Sequence, residues 1–436
     1  MRIVFKNFRI VDEARDFWGG LVVNDALIQD IFDAGNAPDG DIVIDGKAFG
    51  ESAVLTPAFI DLHAHFREPG FSEKETAPLS EVLESASLAA VAGGFATVVC
   101  MANTKPVTDT VEKARAIKAR CDALGLIDLY PVLSLTKNME GRELSGIKDL
   151  QSRDNVIGPP LMLSEDGKDV EDDSLFIAAM KEAKRLRLPV SCHCDFGGPE
   201  AEAAKSAGRK RAEWSRMEEN FAVRRVIELG KNADCRIHIA HVSTKEAVQI
   251  IREAKKNFVN GNGFSLTCEA TPHHIGASEE DAKRMGDETY GRVNPPLRSE
   301  DDRESLIAGL GDGTIDAIAT DHAPHSENDK AIGMPGFTGL ETAYSVSLSA
   351  LVPGIGLQRL SALMSANPAR ILGLKDRGRI EKGLRADIVI ADTEAKFKVE
   401  PEKFKSRGKC TPFAGKILRG KILMTLNAGK IVFGGY

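Results

Sequence analysis

The sequence predicts an α/β protein: a (β/α)8 TIM-type barrel carrying a small β-domain built from both chain ends. Three observations lead there. Eight apolar runs rich in β-branched residues alternate with stretches of helical periodicity through the middle of the chain. Both ends instead hold short strand-like runs joined by Gly, Asp and Asn turns. The nine histidines all fall between positions 63 and 325, almost every one at or just past the end of a run.

The eight runs, in order, are 54–60, 95–101, 127–133, 160–163, 189–194, 236–240, 264–270 and 315–320. Helical spacing of apolar residues predicts helices over 79–91, 111–124, 174–186 and 245–256. Ser243 with Glu246 reads as a capping box opening the last of these, and Gly93-Gly94 closes the first. Before the barrel, strands are expected at 3–8, 20–23 and 27–32; after it, at 386–391, 421–426 and 430–433. The expected division is therefore 1–52 for the first part of the β-domain, 53–374 for the barrel and 375–436 for the second part.

Composition narrows the function classes. A chain of 436 residues with 42% apolar and 28% charged content holds a large core. Its net charge of −7 offers no basic footprint for nucleic acid. The N-terminus reads as a strand, not a signal peptide. No apolar run was expected to reach the roughly 18 residues of a membrane span. Seven cysteines, mostly inside apolar runs, fit reduced core thiols and a cytoplasmic location. Cys192 and Cys194 flank His193 but alternate to the opposite strand face, so they are expected in the core.

The histidines carry the chemistry. His63 and His65, at i and i+2, point to one strand face, into the barrel mouth where catalysis occurs in such barrels. His193, His241 and Asp321 end three other strands. Five imidazole and carboxylate donors exceed one tetrahedral site, so two divalent metals bridged by a carboxylate are favoured, commonly Zn2+. The bridge is expected after the fourth strand, where Glu165 and Asp166 both qualify. Spacing within its run places His238 on the face opposite His241, as barrel-to-helix packing.

At this point the sequence resembles the bacterial-type dihydroorotase family of the amidohydrolase superfamily. The motifs that carry the likeness run in order along nearly the whole chain: Asp61-Leu-His63-Ala-His65-Phe-Arg67-Glu-Pro-Gly, Met101-Ala-Asn103-Thr, Ser164-Glu-Asp166-Gly, His241-Val-Ser-Thr, Val293-Asn294-Pro-Pro-Leu and Asp321-His-Ala-Pro-His325. The resemblance implies His63 and His65 as ligands of one metal and His193 and His241 as ligands of the other. It implies Asp321 as ligand and proton shuttle, and Asp166 as the bridging carboxylate, with a carboxylated Lys168 as rival. Arg67, with Asn103 and His325, would hold a substrate carboxylate, and Asn294 the ring amide. Pro335 and Gly336 would contribute backbone groups, and His65 would also touch substrate. For single residues there are plainer readings: Arg67 could pair with Glu68 or Glu73, and Asn294 could brace the Pro295-Pro296 turn.

The implied activity is the reversible cyclisation of N-carbamoyl-aspartate to dihydroorotate in pyrimidine biosynthesis. A hydantoinase- or allantoinase-type cyclic amidase and a non-catalytic scaffold are the alternatives. A homodimer and association with aspartate transcarbamoylase are implied by the family. Ala102, Glu165, Asp195 and the loop Gly333–Gly339 depart from its usual pattern. His273 and His274 are read as neighbours of the site or packing groups, and His322 as orienting the surroundings of Asp321.

Overall fold

The computed structural model describes residues 1–70, 80–150, 160–257 and 264–434. Leu79, the expected start of the first helix, and Glu73 lie outside them. The chain opens with β1 (Arg2–Val11), β2 (Asp16–Asn24) and β3 (Leu27–Asp33), an antiparallel meander. Strands β4 (Ile42–Asp45) and β5 (Ala53–Pro57) then pair parallel to β1.

The run expected as the first barrel strand is thus divided. Its first half is β5, in the end-built sheet, and the barrel begins with β6 (Phe59–Ala64). Both strands are buried throughout. A continuous apolar run cannot register a change of sheet, because alternation marks a strand only when one face is wet. The expected boundary after residue 52 therefore falls between two strands of one sheet.

The barrel continues with β7 (Phe95–Cys100), β8 (Asp128–Pro131), β9 (Leu163–Ser164), β10 (Val190–Cys192), β11 (Arg236–Ile239), β12 (Ser265–Ala270) and β13 (Ala317–Ile318). All pairs are parallel, and the bridges Leu133↔Leu163 and Ala64↔His322 close the ring. The tail strands β14 (Ile388–Lys398), β15 (Ile417–Asn427) and β16 (Lys430–Phe433) return to the first sheet through β14 against β5. One eight-stranded sheet is thereby made from both ends. Phe5, Phe8, Leu21, Ile28, Leu55 and Leu426 form its core.

Between barrel and helices lies the main core, which includes Cys192 and Cys194 as expected. Ile60, Leu62, Val99, Met101 and Ala319 fill the barrel floor beneath the mouth. Helices Val111–Asp122, Asp173–Leu186 and Lys245–Lys256 lie close to their predicted spans. The cap of the last differs from expectation: Thr244 Oγ1 accepts from Ala247 N at 3.1 Å, while Ser243 serves Glu219. Gly93 ends the helix Leu83–Ala92 where a Cβ would meet Leu340 O at 2.2 Å.

The helical segment Ala343–Leu372 spans 30 residues with a window of mean hydropathy 1.3, long and apolar enough by composition to cross a bilayer. Here it packs on β15 and on the helices Pro272–Gly276 and Glu300–Asp312, and Gly356, at φ +74°, interrupts it.

Candidate metal centre and substrate cavity

The ends of the parallel strands turn sharply at the mouth, and those turns aim the polar side chains inward. His63 is the last residue but one of β6, and His65 follows the strand directly. His193 comes directly after β10, whereas His241 and Asp321 stand beyond β11 and β13 at φ +31° and +44°. Arg67 has φ +58°. Left-handed backbone at non-glycine residues is costly and clusters at functional sites. Asp61 seals the seam of the ring: its carboxylate accepts from Thr320 N at 2.8 Å, Thr320 Oγ1 at 2.5 Å and His63 N at 3.2 Å. Burial raises its pKa to about 7.

Asp166 sits at the centre. Its Oδ1 lies 3.2 Å from His63 Nε2, 3.3 Å from His193 Nδ1 and 3.8 Å from His241 Nε2, and its Oδ2 lies 3.3 Å from His65 Nε2. Asp321 Oδ1 stands 3.2 Å from His65 Nε2 and 3.6 Å from His63 Nε2. Burial works against the charge on Asp166, yet His63, His193 and His241 hold its carboxyl well below the usual range. Asp321 is likewise held down by His65 and His63 against burial.

Glu165 points elsewhere, accepting from Leu135 N at 2.8 Å and Thr136 N at 3.0 Å. Lys168 donates to Met139 O at 2.9 Å and is exposed, so it does not reach the centre.

Two overlapping trios, His63–Asp166–His241 and His63–His65–Asp321, each keep their ligand atoms within 4.8 Å of one another. The buried atoms His63 Nε2 and Asp166 Oδ1 have no hydrogen-bond partner. Such orphans are costly unless something binds them, and imidazole with carboxylate oxygen is a donor set for divalent metals. The residues present therefore fit a metal centre.

The rings are oriented from behind. His63 Nδ1 is 2.9 Å from Glu269 Oε1, His65 Nδ1 is 2.8 Å from Asn103 Oδ1, and His193 Nε2 is 3.0 Å from Asp195 Oδ2. In each case one ring nitrogen meets an acceptor and the other is left facing the centre, the usual support for a metal-binding imidazole. Glu269, which burial opposes, is held at about 2 by His238 and His63.

His238 corrects the sequence reading. It lies inside the barrel, 2.9 Å from Glu269 Oε2 and 2.8 Å from Thr267 Oγ1. Counting from His241 misassigned its face because β11 ends at Ile239 and alternation stops there. The sequence reading gave Asp61 and Asp195 no role in the site, and it did not single out Glu269. The available signal was that Asp61 and Glu269 are acids inside apolar strands.

A cavity of about 250 Å³ opens above the centre. Among its lining residues are His65, Arg67, Asn103, Asp166, His193, His241, Asn294, Asp321, His325, Pro335 and Gly336. Arg67 is half-buried, with Nη2 3.1 Å from His325 Nε2 and Nε donating to Pro324 O at 3.4 Å. Glu68, its suggested partner, is engaged by Arg120 and by Leu83 N. Burial and Arg67 lower the His325 pKa to about 3. Asn294 Nδ2 donates to Asp195 at 3.1 Å while Arg211 donates to its Oδ1 at 3.2 Å, so the amide is clamped at the rim.

His274 bridges Thr271 Oγ1 and Pro295 O, His273 packs on Phe337, and His322 Nδ1 accepts from Gly339 N at 3.2 Å. A larger cavity of about 820 Å³ is lined by Asp195 and Lys168 among others and by no histidine.

The amidohydrolase family model matches residues 54–432. The dihydroorotase of Clostridium botulinum (strain Eklund 17B / Type B) is 38% identical over 435 residues, covering 99% of this chain and 100% of its own. The chain belongs to the amidohydrolase family, in its dihydroorotase branch. The dihydroorotase of Caldanaerobacter subterraneus subsp. tengcongensis is 37% identical, covering 99% and 97% of the two chains. Among solved structures, the L-hydantoinase (dihydropyrimidinase) of Arthrobacter aurescens superposes with TM-score 0.84 at 24% identity over 99% of this chain and 96% of its own. The dihydropyrimidinase of Brevibacillus agri gives 0.82 at 20% identity, covering 100% and 95%. At those identities the two structures establish the amidohydrolase barrel and its flanking sheet, and no more.

Proposed function

We propose that this dihydroorotase-branch amidohydrolase closes N-carbamoyl-aspartate to dihydroorotate and reopens it, on a centre of two Zn2+ ions. The observation that carries the substrate is Arg67. It is a half-buried guanidinium facing the cavity, with no carboxylate in ion-pair range among the described residues. A partly desolvated charge without an acidic partner favours one, and a substrate carboxylate supplies it with matching bidentate geometry. Dihydroorotate has that group; hydantoin and dihydropyrimidine rings do not.

His63, His65, His193, His241, Asp166 and Asp321 would hold the ions. Bound there, divalent metal would supply a nucleophilic hydroxide near neutral pH and Lewis acidity toward the ring carbonyl. Asp321 faces the cavity floor beside His65, placed to take the proton of the attacking water and pass it to the departing ring nitrogen. Cyclisation runs the same transfers backwards. Arg67 and His325 would orient the carboxylate, and Asn294, which lines the same cavity, would meet the ring amide.

The test is loss of amide absorbance with metal-replete enzyme on dihydroorotate and, in parallel, hydantoin. Turnover of dihydroorotate alone supports the reading. Turnover of hydantoin alone moves the chain to the cyclic amidases, and silence on both with metal bound favours a scaffold.

A further inference from the structure

Lysine is almost never fully buried without a partner charge. Lys330 is 1% exposed, and no carboxylate lies in ion-pair range of its ammonium among the described residues. Instead its ammonium donates to three backbone carbonyls, Arg292 O at 2.8 Å, Met334 O at 2.9 Å and Gly336 O at 3.0 Å. The Phe337 ring lies 5.3 Å away.

Those carbonyls belong to two separate segments. Arg292 leads into Asn294, and Met334 and Gly336 flank Pro335; Asn294, Met334, Pro335 and Gly336 all line the substrate cavity. Gly336 N adds a bond to Arg292 O at 3.1 Å, joining the same two segments. Pro335 O lies 3.0 Å from His325 Nε2, the nitrogen that also stands 3.1 Å from Arg67 Nη2. The loop is pressed tightly onto its support. Gly336 has φ +142°, and a Cβ there would meet Ala323 O at 2.4 Å. The short helix Glu327–Ala331, capped by Ser326 and Asp329, sets the lysine beneath it.

We propose that Lys330 is a positioning residue that ties the Asn294 segment to the Pro335 loop. It thereby sets how closely His325 and Arg67 meet the substrate's carboxylate. The carboxylate part rests on the function proposed above. Only an ammonium meets the geometry, since three carbonyls converge on one buried point and need three donors and no acceptor. A planar guanidinium spreads its donors in a fork, and an amide offers two.

The experiment uses full-length, metal-loaded protein with Lys330→Met and Lys330→Gln. For Lys330→Met, KM for dihydroorotate is expected to rise about tenfold or more with kcat and metal content little changed. Lys330→Gln should fall between it and the parent. Amide exchange across residues 330–340 should quicken about tenfold in Lys330→Met. Unchanged KM and unchanged exchange in both variants overturn the proposal, as does a loss confined to kcat. If Lys330→Met fails to accumulate folded, Lys330→Gln carries the same comparison. Exchange needs no substrate, so it still judges the tie if the parent does not turn over dihydroorotate. In that event the substrate reading fails by itself.

Discussion

In the end-built sheet, Phe5, Phe8 and Ile10 are 0% exposed on one strand, packed against apolar neighbours on either side of a register shift between Phe5 and Phe8. At the barrel mouth, His63, Asp166 and Asp321 are almost as buried, at 0%, 3% and 5%. There, atoms of His63 and Asp166 lack hydrogen-bond partners, and Asp321 sits in left-handed backbone. Burial of apolar surface stabilises by itself. Burial of imidazole and carboxylate does so only when something answers their lone pairs. The sheet is therefore a source of stability, and the mouth spends stability on a centre that is complete only with its ligands.

Substitutions should separate the two regions. The largest effect on catalysis is expected from Asp321→Asn, which removes the proton carrier. Its kcat should fall by about 10²–10⁴-fold, while a thermal melt followed by circular dichroism stays close to that of the parent. A melt that collapsed together with activity would place Asp321 among the structural groups instead.

Arg67→Ala should come next, raising KM for dihydroorotate about a hundredfold through loss of a charged, two-point contact. An unchanged KM in steady-state assays would remove the carboxylate assignment. Glu269→Gln should weaken metal retention by about 10–100-fold in a chelator competition, since it orients His63 without facing the cavity. Equal retention would show that His63 needs no such support.

The smallest effect on chemistry should come from Phe8→Ala in the end-built sheet. Denaturant titration should show a loss of about 3–5 kcal/mol in stability, with specific activity of the folded fraction unchanged. A changed kcat would mean that the sheet reaches the site.

Much of the site was legible because its residues sit at strand ends with regular spacing. Alternation predicts His63 and His65 on one face; the pocket is lined by His65, Asp166, His193, His241 and Asp321, and His63 lies against Asp166. What failed was reasoning that carried alternation past the end of a strand. His238 was assigned to the wrong face because His241 lies beyond β11 in left-handed backbone. The division of the 54–60 run between two sheets was invisible because β5 and β6 are buried on every side. The roles of Glu269 and Asp195 were not legible because they depend on which imidazole nitrogen each one meets.

The amino-acid sequence by itself determined the barrel class, the eight-strand order and the donor types gathered at its mouth, since periodicity and residue chemistry are local properties. Only the tertiary structure decided that Asp166 and not Glu165 stands at the centre, that Arg67 is left without a carboxylate among the described residues, and that Lys330 binds two distant segments. Those outcomes depend on the left-handed turns after the strands and on which of several nearby acceptors each donor finally meets. Such choices are made by three-dimensional packing, between groups that can lie hundreds of residues apart.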